Sequence, residues 1–265
     1  MTEQLQKKIN RAIKLIQSAG KMADKVGQPL EIAYSGGKDS DVILELARMS
    51  RVNYKAIYKN TTIDPPGTIK HALARGAEMI RPKQSFFELV EKKGFPSRTM
   101  RFCCSVLKEY KVFDYVVIGV RREESAKRAE RYKEPELCRK YSKNEKARQY
   151  LPLLDWTTAD VAEFLAERNV KCAPVYYDED GVFHPERRLG CMACPLASKK
   201  NRLREFEKHP NMVKAYIRGG VNFIYKVTNC MSISTMSMSG LYATCSVTRS
   251  LNFAKGSGQI CSMAA

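Results

Sequence analysis

Two groups of residues in this chain have the types and spacing that chemistry needs. The first is Ser35-Gly36-Gly37-Lys38-Asp39-Ser40. Paired glycines accept positive φ and put no Cβ in the way, so successive backbone amides can converge on an anion. Lys38 adds a mobile positive charge. Ser35 and Ser40 can donate hydroxyl hydrogen bonds to the same oxygens, and Asp39 can cap a helix or help to hold a hydrated cation. Together these residues form a cradle for phosphate or sulfate. It is not a Walker A loop, which needs glycine where Ile32 stands and Ser or Thr where Asp39 stands.

The second group is a set of thiols. Cys103 and Cys104 are adjacent, and Cys191-Met192-Ala193-Cys194 begins 87 positions after Cys104. A C-x-x-C pair by itself fits zinc, an iron–sulfur cluster or a redox disulfide. Adjacent side chains diverge on a regular element, so two neighbouring thiolates reach one centre only from an irregular or helix-starting backbone. A cluster with spaced irons accommodates that better than a single tetrahedral zinc, and four thiolates suit 4Fe-4S.

These residues need elements that hold them. Leu30, Ile32, Ala33 and Tyr34 read as a buried strand leading into the glycines, and Val42, Ile43, Leu46 and Ala47 recur at helical spacing after them. The cradle therefore lies at a strand-to-helix junction, where a helix offers its free N-terminal amides. Leu5, Ile9, Ala12, Ile13 and Ile16 mark an earlier helix. Further strands are expected over 52–58, 77–81 and 115–120, and helices over 68–75, 85–93, 105–112, the stretch after Thr157 or Thr158, 200–208 and 212–218. Such alternation predicts an α/β fold: an open, mostly parallel sheet with helices on both faces and ligands at the carboxyl ends of its strands.

The strand 115–120 ends in Gly119 and is followed at once by Arg121 and Arg122, so both arginines leave a carboxyl end. Residues 121–148 carry eleven Lys or Arg against six acidic residues and are expected to be an exposed loop or helix pair. From Thr228 onward, 38 residues contain no Asp or Glu. The expected division is thus a nucleotide-binding domain over 1–227 and a weakly ordered, cysteine-containing tail over 228–265.

With 44% hydrophobic residues the chain is globular, and no apolar run is long enough for a membrane span or a signal peptide, so a cytoplasmic setting is expected. The net charge of +18 suits either an anionic nucleotide or a nucleic-acid partner. Three other residues carry a candidate role beside an ordinary one, and a fourth has only an ordinary one. Asp64 could orient magnesium or a ribose, or form a turn; Lys108 could bond substrate, offset the negative charge of a cluster or face solvent; His184 could touch a cluster or a phosphate, or pack; Trp156 reads as core.

The hexapeptide resembles the PP-loop, SGGxDS, of the ATP-pyrophosphatase superfamily. The series SGGKDS, MRFCCSVLK, VIGVRREES, LPLLDWTTADV and GCMACP resembles the phosphoadenosine phosphosulfate (PAPS) reductase family. That likeness implies an adenine nucleotide alpha hydrolase-like fold, with Ser35 to Ser40 binding phosphate or sulfate and Arg121 and Arg122 binding anions. It makes Cys103, Cys104, Cys191 and Cys194 the ligands of a 4Fe-4S cluster, with zinc the alternative metal. The implied activities are reduction of adenylyl sulfate (APS) or PAPS with a thioredoxin-like reductant, or Mg2+-dependent ATP α,β-cleavage coupled to sulfur transfer onto an acceptor such as a nucleic acid. In either case Lys38 and Arg121 would stabilise charge on the breaking bond. A non-catalytic nucleotide- or nucleic-acid-binding module is the remaining reading. Reductases of the family place a nucleophilic cysteine in an E-C-G-(L/I)-H segment, which these residues do not contain. Cys230, Cys245 and Cys261 stand in other contexts.

Overall fold

The computed structural model describes residues 1–233, with side chains to residue 227. The tail expected over 228–265, with Cys230, Cys245 and Cys261, therefore lies outside the described residues, apart from backbone continuing the last helix to Ile233. Two compact units divide the chain: Met1–Lys83 with Cys104–Met192, and Gln84–Cys103 with the residues from Ala193 onward.

The first unit is α/β, built on a six-stranded sheet flanked by helices. Its strands are β1 (Leu30–Tyr34), β2 (Tyr54–Lys59), β3 (Glu78–Ile80), β4 (Tyr115–Val117), β5 (Glu136–Lys140) and β6 (Lys146–Tyr150), in the order β3-β2-β1-β4-β6-β5. All neighbours run parallel except β5 and β6. In β1 the run LEIAY is buried almost without a break, as a central parallel strand covered on both faces must be. Ile32 pairs with Ala56 on one side and Val117 on the other, which fixes the register at the middle of the sheet.

Helix α1 (Glu3–Asp24) buries Leu5, Ile9, Ala12, Ile16, Ala19 and Ala23, a stripe at three- and four-residue spacing. Each large aliphatic side chain so buried contributes about 1.5–3 kcal/mol. Helix α2 (Lys38–Ser50) follows β1 directly, and α3 (Thr68–Ala74) precedes β3. Among the described residues no helix is long and apolar enough to cross a membrane.

Residues 121–148 form a 3-10 turn (Arg122–Glu124), one short α-helix and most of a β-hairpin rather than a loop or helix pair. Helix α6 (Ala126–Arg131) leads into the antiparallel pair β5 and β6, in which Cys138 faces Arg148 and Lys140 faces Lys146. The period of two is present, with Ala147 and Gln149 buried between exposed Lys146 and Arg148. It is masked in the sequence because the inward positions are few and the outward ones heavily charged.

Helix α7 (Thr158–Glu167) starts at the Thr157 cap, with Trp156 buried and edge-on to Phe164 at 5.6 Å, the core role expected of it. In the second unit, α4 (Phe86–Lys93), α8 (Lys199–Lys208) and α9 (Pro210–Ile233) supply a cluster of rings. Tyr216 stacks on Phe95 at 5.9 Å and meets Phe86, Phe87 and Phe206 at 5.3–5.5 Å. Gly219 and Gly220 permit this approach: a Cβ at Gly220 would lie 2.8 Å from the Phe95 ring. Helix α5 (Phe102–Leu107) carries the cysteine doublet in its first turn, and the division between the units falls between Cys103 and Cys104.

Candidate functional site

The chain turns from β2 and β3 on one side of β1 to β4 on the other, so the sheet order reverses between β1 and β4. Ligands of open α/β sheets bind in the crevice at the carboxyl ends of strands at such a reversal. The cradle leaves β1 at that point, and the turn carrying Arg121 leaves β4.

Gly36 takes φ of +76°, and a Cβ there would sit 2.9 Å from the Thr68 methyl, so both backbone and space require glycine. Gly37 caps α2 with an extended backbone and no side-chain bond. The amides of the first turn of α2 thus point out of the helix N-terminus. Ser40 Oγ donates to the Gly37 carbonyl at 2.7 Å, and Ser35 Oγ lies 3.3 Å from Ser40 Oγ and accepts from the Gly37 amide at 3.4 Å. Three of the six loop residues, Ser35, Gly37 and Ser40, therefore tie the loop's own shape.

The charges come next. Lys38 is buried, and its ammonium lies 3.2 Å from Asp39 Oδ2. Arg121, also buried, donates from Nε to Asp39 Oδ1 at 2.7 Å and from Nη1 to Glu123 at 2.7 Å. Asp39 consequently bridges the two cations instead of capping the helix with its side chain. Burial pushes the Glu123 carboxyl up, but hydrogen bonds from Thr158 and Arg121 more than offset this and hold it below the ordinary carboxylate range. A Cβ at Gly119 would lie 3.3 Å from Asp39 Cβ, so glycine at the end of β4 lets that strand approach the first turn of α2.

The structure thus brings together Ser35, Gly36, Gly37, Lys38, Asp39, Ser40 and Arg121. It sends Arg122 elsewhere: that guanidinium engages Asp155 and the carbonyls of Tyr132 and Lys133.

Two residues with no signal in the sequence complete the site. Tyr176, buried, accepts the Lys38 amide on its hydroxyl at 3.1 Å from 138 residues away, and its ring lies 5.5 Å from the Lys38 ammonium. Burial pushes its phenol up to about 12, so it remains protonated. Asp41, fully buried, accepts from Tyr34 at 2.5 Å and lies 3.0 Å from His71 Nε2, which pins the first turn of α2 to β1 and α3.

The thiols divide between the units: Cys104 and Cys191 in the first, Cys103 and Cys194 in the second. In the first unit Cys191 Sγ lies 3.6 Å from Thr61 Oγ1. The Lys108 ammonium is pulled down by burial and raised further by Cys191, Asp64 and Cys104. Burial pushes the Cys191 thiol up, against the pull of Lys108. Asp64 accepts from the Thr61 amide at 2.9 Å and the Thr61 hydroxyl at 2.7 Å, closing the turn after β2. His184 sits between Asp178 and Glu186, 2.9 Å from each. Among the described residues, no group of three or more His, Cys, Asp or Glu side chains gathers as a metal site.

A family model described as the phosphoadenosine phosphosulfate reductase domain matches residues 29–197, more than half of the chain. Among curated proteins, an uncharacterized protein of Methanocaldococcus jannaschii is 28% identical over 229 residues, 81% of this chain and 53% of that protein. The chain spans about half the length of the curated relatives it matches. Among solved structures, FMN adenylyltransferase of Candida glabrata superposes with a TM-score of 0.49 at 19% identity, over 77% of this chain and 71% of that one. The PAPS reductase of Candida auris, in a phosphate complex, gives a TM-score of 0.43 at 18% identity over 72% and 96%. The matched span opens one residue before β1 and runs three residues past Cys194, taking in the cradle, the arginine turn and all four spaced cysteines, and the chain belongs to the phosphoadenosine phosphosulfate reductase domain family.

Proposed function

We propose that this chain is an enzyme that binds an adenine nucleotide, whether APS, PAPS or ATP with Mg2+, at Ser35–Ser40 and acts on its phosphosulfate or phosphoanhydride bond. The observation that carries this reading is the convergence of Lys38 and Arg121, both buried, on the N-terminus of α2 through Asp39. Lys38 and Arg121, balanced in the free site by Asp39 and Glu123, stand beside preorganised amides, and cations and amides so fixed stabilise an oxygen that gains negative charge as the bond to it breaks. Asp39 keeps the two cations from repelling one another while the site waits for an anion, and Tyr176 and Asp41 hold the helix end in place. Arg122, bonded elsewhere, contributes to the loop that carries Arg121.

Cys103, Cys104, Cys191 and Cys194 are the proposed holders of a 4Fe-4S cluster. The donor chemistry fits: four thiols match the ligand count, and in the first unit Lys108 places positive charge by Cys104 and Cys191, which opposes the burial that pushes the Cys191 thiol up. When bound, a cluster supplies a redox-capable, charged metal centre. Anaerobically purified protein is expected to carry iron and acid-labile sulfide, and Cys104→Ser and Cys191→Ser to lose both. Colourless protein with zinc and no iron overturns the assignment.

The activity is tested by incubating the protein with ATP and Mg2+, and separately with APS and PAPS plus reduced thioredoxin, reading pyrophosphate and sulfite. Equilibrium dialysis against each nucleotide is run in parallel. At least one nucleotide is expected to bind, and Lys38→Ala and Arg121→Ala to weaken it tenfold or more. Pyrophosphate release assigns ATP cleavage, and sulfite release assigns reduction. Binding of none of the three nucleotides, or binding unchanged in both variants, removes this reading.

A further inference from the structure

The cradle absorbs only two of the chain's basic side chains, and the hairpin of the first unit presents another set that the nucleotide does not require. Residues directly paired across strands lie on the same face of a sheet. One row across this face is Tyr115 on β4, Arg148 on β6 and Cys138 on β5. The next row is Lys146 opposite Lys140, and Lys143 stands in the turn that joins the two strands. Lys140, Lys143, Lys146 and Arg148 are all exposed. No ion pair engages any of them among the described residues, whereas Arg139, on the opposite face, is paired with Glu109.

This arrangement is costly without a ligand. Like charges directly opposite one another destabilise an antiparallel pair, and Lys140 and Lys146 are such a pair at the end of the hairpin. Glu145 stands next to Lys146 in the same turn, and among the described residues neither it nor the other acidic residues nearby forms an ion pair with these cations. Glu136 lies at the far end of β5 opposite Tyr150, and the Asp114 carboxylate is already held by Lys111 and Gln28. An open groove beside these rows is lined by Tyr115, Cys138, Lys146 and Arg148 together with Met22 of α1, Asp114 and Ala147. Among the described residues Arg148 meets the Tyr150 hydroxyl but no carboxylate. A half-buried aromatic ring among cations without carboxylate partners is the combination that binds single-stranded nucleic acid, in which the cations track phosphates and the ring stacks on a base. A membrane surface or an acidic peptide would use the charges and leave the ring idle.

We propose that the outer face of the β5–β6 hairpin, with Tyr115, is a docking surface for a nucleic acid strand. The proposal goes beyond the nucleotide site and does not depend on it. The probes are a 20-nucleotide single-stranded RNA, the DNA of the same sequence, heparin, and phosphatidylserine vesicles, each measured with the full chain by fluorescence anisotropy or co-sedimentation. The first variant carries Lys140→Gln, Lys143→Gln, Lys146→Gln and Arg148→Gln. The control removes the same charge from exposed positions elsewhere in the same unit, with Lys70→Gln, Arg81→Gln, Lys83→Gln and Lys171→Gln.

The hairpin variant is expected to lose at least tenfold in affinity for one or both strands. The slope of log affinity against log salt should fall by about 3, the amount four phosphate contacts on a single strand supply. The control should lose less than threefold. Tyr115→Leu should weaken both strands severalfold and leave heparin binding unchanged. Because the hairpin variant removes a repulsive pair, its thermal midpoint should be unchanged or higher, which separates lost binding from lost folding. A tighter RNA or DNA arm names the strand. Equal losses in the two charge variants, no strand binding by the unmodified chain, equal loss of heparin and strands on Tyr115→Leu, or tighter binding to vesicles than to either strand overturns the proposal.

Discussion

At the scale of single residues, the site depends on which polar groups are already spent on protein partners. Asp39 is spent on Lys38 and Arg121, Asp41 on Tyr34 and His71, and the Lys38 amide on Tyr176. The last of these is the most open to test. Tyr176→Phe keeps the ring over Lys38 but leaves a buried amide without an acceptor, at a cost of about 1–3 kcal/mol. The expected outcome is a lower thermal midpoint and weaker binding of whichever nucleotide the cradle takes, with near-normal secondary structure by circular dichroism. An unchanged midpoint would mean that the hydroxyl does not support the loop.

At the scale of elements, helix termini organise the first unit. Helix α2 has no side-chain cap at its N-terminus, whereas α7 closes its own with a capping box in which Thr157 and Asp160 bond each other's amides at 3.1 and 2.6 Å. Lys8 of α1 adds a bond to the same Asp160 carboxylate at 2.5 Å. Burial pushes that carboxyl up, and its bonds to Lys8 and Thr157 more than reverse this, so its folded pKa lies below the unfolded one. The unfolded state therefore binds more protons in the acid range, and stability rises with pH there. The contribution is present in full above about pH 4 and fades as pH falls through the lower folded value. Asp160→Asn should cost about 0.5–2 kcal/mol at pH 7, typical of a lost cap. Urea unfolding of the two proteins should converge as the pH is lowered towards 2; a gap that stays constant down to that pH would argue against a role for the charge.

At the scale of the molecule, each unit has its own source of stability. The first rests on the aliphatic residues of the sheet and of α1 and α2. The second rests on the rings gathered around Tyr216. Removing that ring by Tyr216→Ala should cost about 2–4 kcal/mol. Hydrogen exchange should then speed up in α4, α8 and α9 while β1 and β2 keep their protection. Equal acceleration in β1 would show that the ring cluster is not confined in its effect.

How much of this was legible beforehand follows from where each interaction lies along the chain. The cradle, its strand and its helix are contiguous, so the apolar run of β1, the paired glycines and the helical spacing of Val42, Ile43 and Leu46 announced them together. The family could be read for the same reason: its motifs are short, local strings, and their order survives without any geometry. Arg121 could be placed at a strand end by its position after YVVIGV, but its bond to Asp39 depends on β4 lying beside β1, which only the sheet order supplies. Tyr176 and Asp41 carried no signal, because a tyrosine in a turn-rich stretch and an aspartate in a helix's first turn are ordinary until the chain returns to them. The hairpin over 136–150 was hidden by charge, its period of two expressed in only a few inward residues. The sequence by itself thus determined the class of fold, the glycine loop at its strand-to-helix junction and the family, all of which rest on near neighbours in the chain. The tertiary structure decided which charges neutralise one another and which are left to face a ligand, because that depends on contacts between residues far apart in sequence.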